Sequence, residues 1–443
     1  MFTPLLIAAA GVCLRIAFVI PAIHSGDHGV FERPDSGFYL YAAHELAEGK
    51  PYPGSTRTPG FSAVAAILLK TTGTIWSVPL FFAVAGGMGA LLIYFAGKEY
   101  ADRKTGILAE ILYSFNLTSI VNAPMLLTDT FFGILAAWQF LLFVQFRKHD
   151  GIKYFLWSVA VSSLGSLIRP INMMWIFPAV FMLCLHRNIP WKKKIISGLA
   201  ALFIFAAIPS PWMTWNAMRG AGYCLDTNTG AMLHQNGSML LAEVNGTEFE
   251  YEKAKMLKKL DEMFQDKKRF PDEKSIVDYR KKEYISLILK HPFTWLKQQF
   301  QWKILLPDVP TGFEILGITS AGRGTMGVLA KDGFPAAVNH YFNGKILLPL
   351  NFAPLLIISL ATAAGCLIYL IALLKKLPQH YYELFLFLAF AEYYFFLPGA
   401  ITAPRYQIPA LPVITVFASC GLLMTYDFVQ KFYRQQKARA ERS

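Results

Sequence analysis

The chain has 443 residues, of which 54% are hydrophobic, 15% aromatic and only 16% charged, with a mean hydropathy of +0.38. That balance excludes an ordinary soluble globule and a disordered chain, and it marks a polytopic membrane protein. The net charge of +13 would suit nucleic acid, but the basic residues fall in short groups between apolar runs, which is a membrane-topology pattern and not a nucleic-acid face.

Crossing the hydrocarbon takes about 20 apolar residues per helix. The sequence holds about ten such segments, at roughly 3–23, 74–96, 106–123, 127–146, 154–169, 172–186, 195–213, 347–374, 381–398 and 406–427. The first lacks a basic leader and is interrupted by Arg15, so it reads as a retained span instead of a cleaved signal. The stretch 24–74 is then a loop. Within it, Ser36 to Glu48 has the apolar spacing of a helix lying along the interface, ended by Gly49, Pro51, Pro53 and Gly54. Pro59 suits the first turn of a second short helix, Gly60 to Lys70.

Further along, basic groups recur at Lys98, Arg103 and Lys104, at Arg147, Lys148 and Lys153, at Arg187 with Lys192 to Lys194, and at Lys375 and Lys376. Lys431, Arg434, Lys437, Arg439 and Arg442 follow the last span. Positive charge collects on the cytoplasmic side, so these groups belong to one face and both termini lie there. They also offer contacts to anionic membrane lipids. The other face carries two large loops, 24–74 and about 214–345. The second has charged helical stretches, Glu248 to Phe264 and Asp272 to Lys290, and an amphipathic run from Phe293 to Leu306 with Trp295, Phe300 and Trp302. Gly322-Arg323-Gly324 and Gly333 fit either a mobile cover or a plain surface loop. The chain thus divides into an N-terminal transmembrane module (1–213) with its large first outer loop (24–74), an extracytoplasmic region (214–345), and C-terminal helices with a basic tail (346–443). Four of the five cysteines fall inside apolar spans and give no disulfide framework. Asn236-Gly237-Ser238 and Asn245-Gly246-Thr247 fit the glycosylation pattern.

Charged side chains close to membrane depth are costly and mark function or an interface. Asp35 and Arg57 stand near either end of the first-loop platform, and Asp129, Arg169, Arg219 and Arg405 fall at the same outer boundary. An acid and a base so placed are what transfer of a sugar from a lipid phosphate requires. Each has a structural alternative. Asp35 and Asp129 both stand where helix caps belong, and each arginine could be an interfacial anchor.

The motifs in order are Asp35-Ser36 with Tyr39, a Gly-Lys-Pro-Tyr turn, Arg57-Thr58-Pro59-Gly60-Phe61, Leu126-Leu127-Thr128-Asp129-Thr130, Leu167-Ile168-Arg169-Pro170, Pro211-Trp212 to Asn216 with Gly222 to Gly230, His291-Pro292 and Arg405-Tyr406. This series resembles the GT-C fold glycosyltransferases, in the branch of polyprenyl-phosphate-sugar dependent protein O-mannosyltransferases and lipid A aminoarabinose transferases. Ser36 stands where the protein mannosyltransferase branch carries Glu, and Trp215 where relatives commonly place Arg.

The resemblance implies an all-α GT-C fold and an inverting transferase in a bacterial cytoplasmic membrane with its site facing outward. It would move a sugar from a polyprenyl-phosphate donor to a lipid, glycan or protein acceptor. Asp35 would take the acceptor proton if the acceptor is a hydroxyl, or orient it if the acceptor is a phosphate. Asp129 would shape the acceptor pocket or hold a metal. Arg57, Arg405, Arg169 and Arg219 would meet the donor phosphate with paired hydrogen bonds. A divalent cation stays an open alternative, with His44, Glu45, Glu48, His234 and Glu243 as available ligands but no metal-binding spacing. The rival reading is a polytopic lipid or glycolipid transporter or flippase, which would place its ionisable residues nearer the midplane.

Overall fold

A computed structural model describes residues 2–318, 324–345, 347–396, 398–400 and 402–440; the side chains of Trp302, Lys303, Leu348, Pro349, Glu392, Ala438 and Ala440 are likewise outside the description. The chain is helical, and among the described residues there is no strand. Among the described residues five helices are long and apolar enough to cross a membrane: Phe2–Ser25, Ser77–Tyr100, Asp129–His149, Leu350–Leu374 and Pro404–Lys437. A sixth forms if Trp191–Ala207 and Ser210–Met218, bent by 42° around Pro209, are one span.

The other four expected segments are also helical but interrupted, each for a visible reason. At 106–123 the side chain of Asn116 accepts the N–H of Ser119 and starts a separate short helix, Leu117–Asn122. Ile152–Ser166 is only 15 residues long and buries Ser158, Ser162, Ser163 and Ser166 against neighbouring helices. Pro170 opens a tight 3-10 turn, Pro170–Trp175, before Ile176–Leu185. In the ninth segment the helix widens to a π turn over Leu388–Glu392. Helices enclosed by other helices do not face lipid along their whole length, so the uninterrupted apolar run that marks a span is relaxed in them.

The two ends of the bundle differ in charge. Arg147 pairs with Glu383 and lies over the rings of Tyr100 and Tyr382; Lys148 pairs with Glu99 at 2.9 Å, Arg187 covers Tyr381, and Asn188 donates to Asp150. The basic groups near positions 98, 147, 187 and 375 are thereby gathered at one end. Asp129 begins the 21-residue helix that ends with Arg147, Lys148 and His149. At 1.5 Å per residue the acid lies about 30 Å from that basic end.

Two aromatic-rich cores hold the bundle. One centres on Phe140, Phe143, Phe146, Trp175 and Phe390, and the other, nearer the first loop, on Phe18, Phe61, Phe82, Phe313 and Phe352. Arg15 is fully buried beside the second, and its guanidinium donates to the carbonyls of Gly11 and Ser114 and to the Ser119 hydroxyl. The charge that interrupts the first span therefore faces protein instead of lipid.

The long C-terminal helix crosses Ala353–Leu374 at a glycine pair. A Cβ on Gly421 would sit 1.9 Å from the Gly365 carbonyl oxygen, and one on Gly365 would sit 2.6 Å from that of Ala418. Small residues allow this approach where lipid provides no hydrophobic drive for helix association. Replacing Gly421 by Val must push the two backbones apart, and overpacking of this kind costs about 1–3 kcal/mol. The variant is expected to melt several degrees lower in detergent, a shift readable by differential scanning fluorimetry, while Ser419→Ala, which adds no bulk and removes only a hydrogen bond within its own helix, shifts less.

Candidate functional site

The first loop folds as two helices, Ser36–Ala47 and Gly60–Thr72. The first buries Ser36, Tyr39, Ala42 and Ala43 on one stripe and leaves Phe38 and Tyr41 exposed. The second buries Phe61, Ser62, Ala65, Ala66 and Leu69. Ser62 donates its hydroxyl to the Tyr39 carbonyl, and the Tyr39 and Phe61 rings meet edge to face at 5.4 Å.

The start of the second helix is clasped to the Leu167–Arg169 turn. The Gly60 N–H donates to the Leu167 carbonyl at 2.9 Å, and the Thr58 hydroxyl donates to that of Ile168 at 2.9 Å. A Cβ at position 60 would fall 2.8 Å from the Leu167 oxygen and 2.7 Å from Ile168 Cγ1, so only glycine allows the contact. The clasp fixes Arg57 and Arg169 on neighbouring backbone.

Each arginine has its acid. Arg57 Nη2 donates to Asp35 Oδ1 at 2.8 Å, with the guanidinium over the Phe38 ring. Asp35 precedes Ser36–Ala47, but its carboxylate makes no capping hydrogen bond, so its side chain is committed to Arg57 and to the cavity. Arg169 Nη1 lies 2.9 Å from Asp129 Oδ1, and Arg405 Nε lies 3.7 Å from Oδ2 of the same carboxylate. Both guanidinium groups also cover the Tyr406 ring, at 5.3 and 5.5 Å.

Asp35, Arg57, Arg169, Tyr39 and Tyr406 line one cavity of about 310 Å³. Burial pushes the Tyr39 phenol up to about 12, with the guanidinium groups of Arg57 and Arg169 opposing that shift. Asp129, with a side chain 2% exposed, lies behind the wall and holds Arg169 and Arg405 from beneath. Arg219 does not reach the cavity. It donates to the carbonyls of Tyr52 and Gly54, at 2.7 and 3.1 Å, and so secures the turn that precedes Arg57.

The far wall comes from the second large loop. Asp226, Asn228, Thr229 and Asn236 line it. The Thr227 N–H donates to the Ser55 carbonyl, which ties this wall to the first loop, and the buried Asn216 side chain donates to the carbonyls of Cys224 and Leu225, which ties it to Ser210–Met218. Asp226 is 8% exposed and its carboxyl is held above the usual range, chiefly by burial. The sequence reading passed over this residue. Its visible signal was an Asp three positions before Thr229 in an otherwise uncharged polar segment.

The possible cation ligands do not converge: among the described residues no group of three His, Cys, Asp or Glu is placed to hold a metal ion. Lys50 pairs with Glu45 and Glu48, Lys297 with Glu243, and His234 is buried on Asn228–Asn245. The two sequons lie on or at the end of that helix; Ser238 is buried, and Asn245 and Thr247 both donate to Glu252. Gly324 and Gly333 take positive φ, whereas Gly322 and Arg323 lie outside the described residues.

Beside the charged cavity runs an apolar groove of about 1090 Å³. Phe177 and Phe181 form one side, Phe300 and Ile304 a second, Phe385 and Phe396 a third. Phe300 and Leu305 line it and are exposed, so the second half of the amphipathic run from Phe293 to Leu306 follows the groove.

This helical architecture is that of a membrane protein of the GT-C fold. Residues 56–215, which hold Arg57, the Asp129 turn, the Leu167–Arg169 turn and the Pro211–Trp212 segment, match the family described as dolichyl-phosphate-mannose-protein mannosyltransferase. Among solved structures, the archaeal oligosaccharyltransferase AglB from Archaeoglobus fulgidus, in complex with an inhibitory peptide and a dolichol-phosphate, aligns over 98% of this chain and 51% of its own at 13% identity and a TM-score of 0.51. The apo form of the A. fulgidus oligosaccharyltransferase gives 12% identity, the same coverage and the same score. ArnT from Cupriavidus metallidurans, bound to undecaprenyl phosphate, aligns over 92% of this chain and 59% of its own at 12% identity and a TM-score of 0.46. The chain spans about half the length of the archaeal structures it matches. No curated protein sequence matches it.

Arg219 supports a turn, so its loss should be felt in the fold of the first loop. Arg219→Ala leaves two carbonyls without their donor and is expected to make the 49–58 segment cleave several times faster in limited proteolysis. Arg219→Lys, which lacks the planar fork, should restore protection only in part.

Proposed function

We propose that the protein is an inverting glycosyltransferase that moves a sugar from a polyprenyl phosphate to an acceptor at the face of the membrane opposite the basic end, in a bacterial cytoplasmic membrane. The observation that carries this reading is the meeting of Asp35, Arg57 and Arg169 in one cavity, with a long apolar groove beside it. The family match over 56–215 and the dolichol-phosphate in the AglB structure's own description support the same donor class.

In this mechanism the polyprenyl tail lies in the groove lined by Phe177, Phe300 and Phe396, and its phosphate faces Arg169. Arg169 and Arg405 share the single carboxylate of Asp129, so the trio carries one net positive charge in a partly buried place. That charge is held ready for the second negative charge that appears on the phosphate as the sugar leaves. Asp129 acts as a positioning residue: it orients both guanidinium groups without touching the donor. Arg57 plays the same part for Asp35, fixing the carboxylate at the cavity mouth.

The acceptor oxygen attacks C1 of the sugar from the side of Asp35, and the C1–O bond to phosphate breaks with its electron pair staying on phosphate. A hydroxyl acceptor gives its proton to Asp35. The transition state has oxocarbenium character, which the nearby carboxylate also stabilises.

Asp35→Asn keeps size and hydrogen bonding but cannot accept the proton. With a hydroxyl acceptor, general-base loss is expected to lower transfer by about 10²–10⁴-fold. The assay is purified enzyme in lipid nanodiscs with a panel of radiolabelled undecaprenyl-phosphate sugars, read as release of free undecaprenyl phosphate. Wild-type protein that releases it from none of them overturns the proposal, and a lipid transporter would be expected to move lipid equally well with Asn at position 35. Arg169→Lys, which loses the planar pair of donors, is expected to lower kcat by about 10²–10³-fold with a smaller effect on KM, because the interaction strengthens as charge develops. Side is tested separately: a cysteine at Lys50 should react with an impermeant maleimide in intact cells, and one at Lys153 only after lysis.

A further inference from the structure

The cavity has two unlike walls. The first, built by Arg57, Arg169 and Tyr406, supplies donors and positive charge. The second, built by Asp226 and Asn236, supplies acceptors. Resting on the transferase reading, we infer that this second wall is a sugar-recognition subsite, in which Asp226 and Asn236 accept hydrogen bonds from hydroxyl groups of the transferred sugar.

The Asp226 carboxylate is buried yet, among the described residues, forms no ion pair. One oxygen is fully used: Oδ1 accepts both the N–H of Thr229 at 3.1 Å and its hydroxyl at 2.8 Å. That double contact fixes the rotamer at the entrance to Asn228–Asn245 and leaves Oδ2 with no hydrogen bond from the described residues. Asn236 lies further along the same helix, at the same cavity. Its Oδ1 is buried with no hydrogen-bond partner among the described residues. Asn236 Oδ1 is thus a buried acceptor without a donor, which a ligand that brings O–H groups would satisfy, and Asp226 Oδ2 is left free to accept at the same cavity.

The shape agrees. Gly399, next to the cavity-lining Pro398, has φ of +68°, and a Cβ there would lie 3.5 Å from Asn236 Oδ1 and 3.1 Å from Gln299 Oε1. The backbone thus comes close to Asn236 without a side chain to cover it. A phosphate is the wrong occupant for this wall, because its oxygens would meet a carboxylate and an amide carbonyl. A neutral ring with several hydroxyls, its phosphate turned toward Arg169, fits both walls at once.

The experiment compares binding of undecaprenyl phosphate with binding of undecaprenyl-phosphate-linked glucose, galactose, mannose and arabinose to protein in nanodiscs, for wild type, Asp226→Asn and Asn236→Ala. Wild type should bind at least one sugar-bearing lipid more tightly than the sugar-free lipid. Asp226→Asn should reduce that preference by about tenfold, equivalent to about 1.4 kcal/mol, with sugar-free lipid bound as before. Asn236→Ala, which leaves the Thr229 contacts in place, should reduce it severalfold. For the preferred sugar, removal of one hydroxyl should abolish the penalty of Asp226→Asn, because the partner of the lost group is gone. Equal weakening of both lipids, an unchanged preference in both variants, or the same penalty on every deoxy sugar overturns the inference while leaving the transferase reading intact. Failure of wild type to bind or turn over any sugar-bearing lipid overturns both.

Discussion

The backbone clasp between Thr58–Gly60 and Leu167–Ile168 is the contact on which the site depends. It joins segments more than a hundred positions apart through two hydrogen bonds, and it exists because position 60 has no Cβ. Arg57 immediately precedes the clasp on one strand of chain, and Arg169 immediately follows it on the other. Their side chains therefore enter the same cavity whatever else varies around them. The second large loop is added to this unit by the main-chain bond from Thr227 to Ser55 and by the Arg219 guanidinium, which donates to the carbonyls of Tyr52 and Gly54. The first loop is thus held from both sides, and the charged groups sit on a rigid support as geometry-sensitive chemistry requires.

The charges are distributed so that each can do a different thing. Asp35 has one guanidinium and is half exposed, open to an incoming acceptor. Asp129 has two and is sealed away, which turns it from a reactive group into a support. Asp226 has none within ion-pair distance among the described residues and is kept by Thr229 in a fixed orientation. In the proposed mechanism these three chemically identical side chains take the parts of a proton acceptor, an orienting group and a ligand for neutral hydroxyls. Environment, not residue type, assigns the roles, as it does wherever neighbouring carboxylates must behave differently.

Composition and the alternation of basic groups made the membrane class legible, since a bilayer imposes a strong and local constraint on sequence. The basic end assembled by Arg147, Lys148 and Arg187 follows that pattern, and the two first-loop helices begin at Ser36 and Gly60, the expected positions. Asp35 and Arg57 could be picked out because charges so near a membrane need a reason. The number of spans was less legible. Enclosed helices such as Ile152–Ser166 follow packing rules and not hydropathy rules, and the Asn116 cap is a local event inside an apolar run. Asp226 was hidden for another reason: a polar loop residue looks the same whether it faces water or a cavity, and only tertiary contact distinguishes them. Arg219 and Arg169 likewise read alike in sequence, and it is the carbonyl partners of the first and the carboxylate partner of the second that separate them.

The proposed lipid-linked sugar donor would set opposing demands, because its tail needs an apolar surface and its head a charged one, within a few ångströms of each other. The segment after the π turn at Leu388–Glu392 meets this with consecutive residues. Tyr393 faces the apolar groove, its hydroxyl donating to the Ile171 carbonyl, while Tyr394 lines the charged cavity, its hydroxyl donating to Asn172 Oδ1. Both phenols are therefore satisfied within the protein, so neither exposes an unpaired polar group to a tail or competes for a phosphate. The partition between the two compartments is one tyrosine thick. Asn172 is itself anchored by donation to Ser162, and a Cβ on Gly165 would lie 2.7 Å from its amide nitrogen, so the wall is braced against the helix that ends just before Arg169. The same short stretch of chain that positions Arg169 thus also holds the boundary between the charged cavity and the apolar groove, which under the proposed function couples where a lipid tail lies to where the charge is presented.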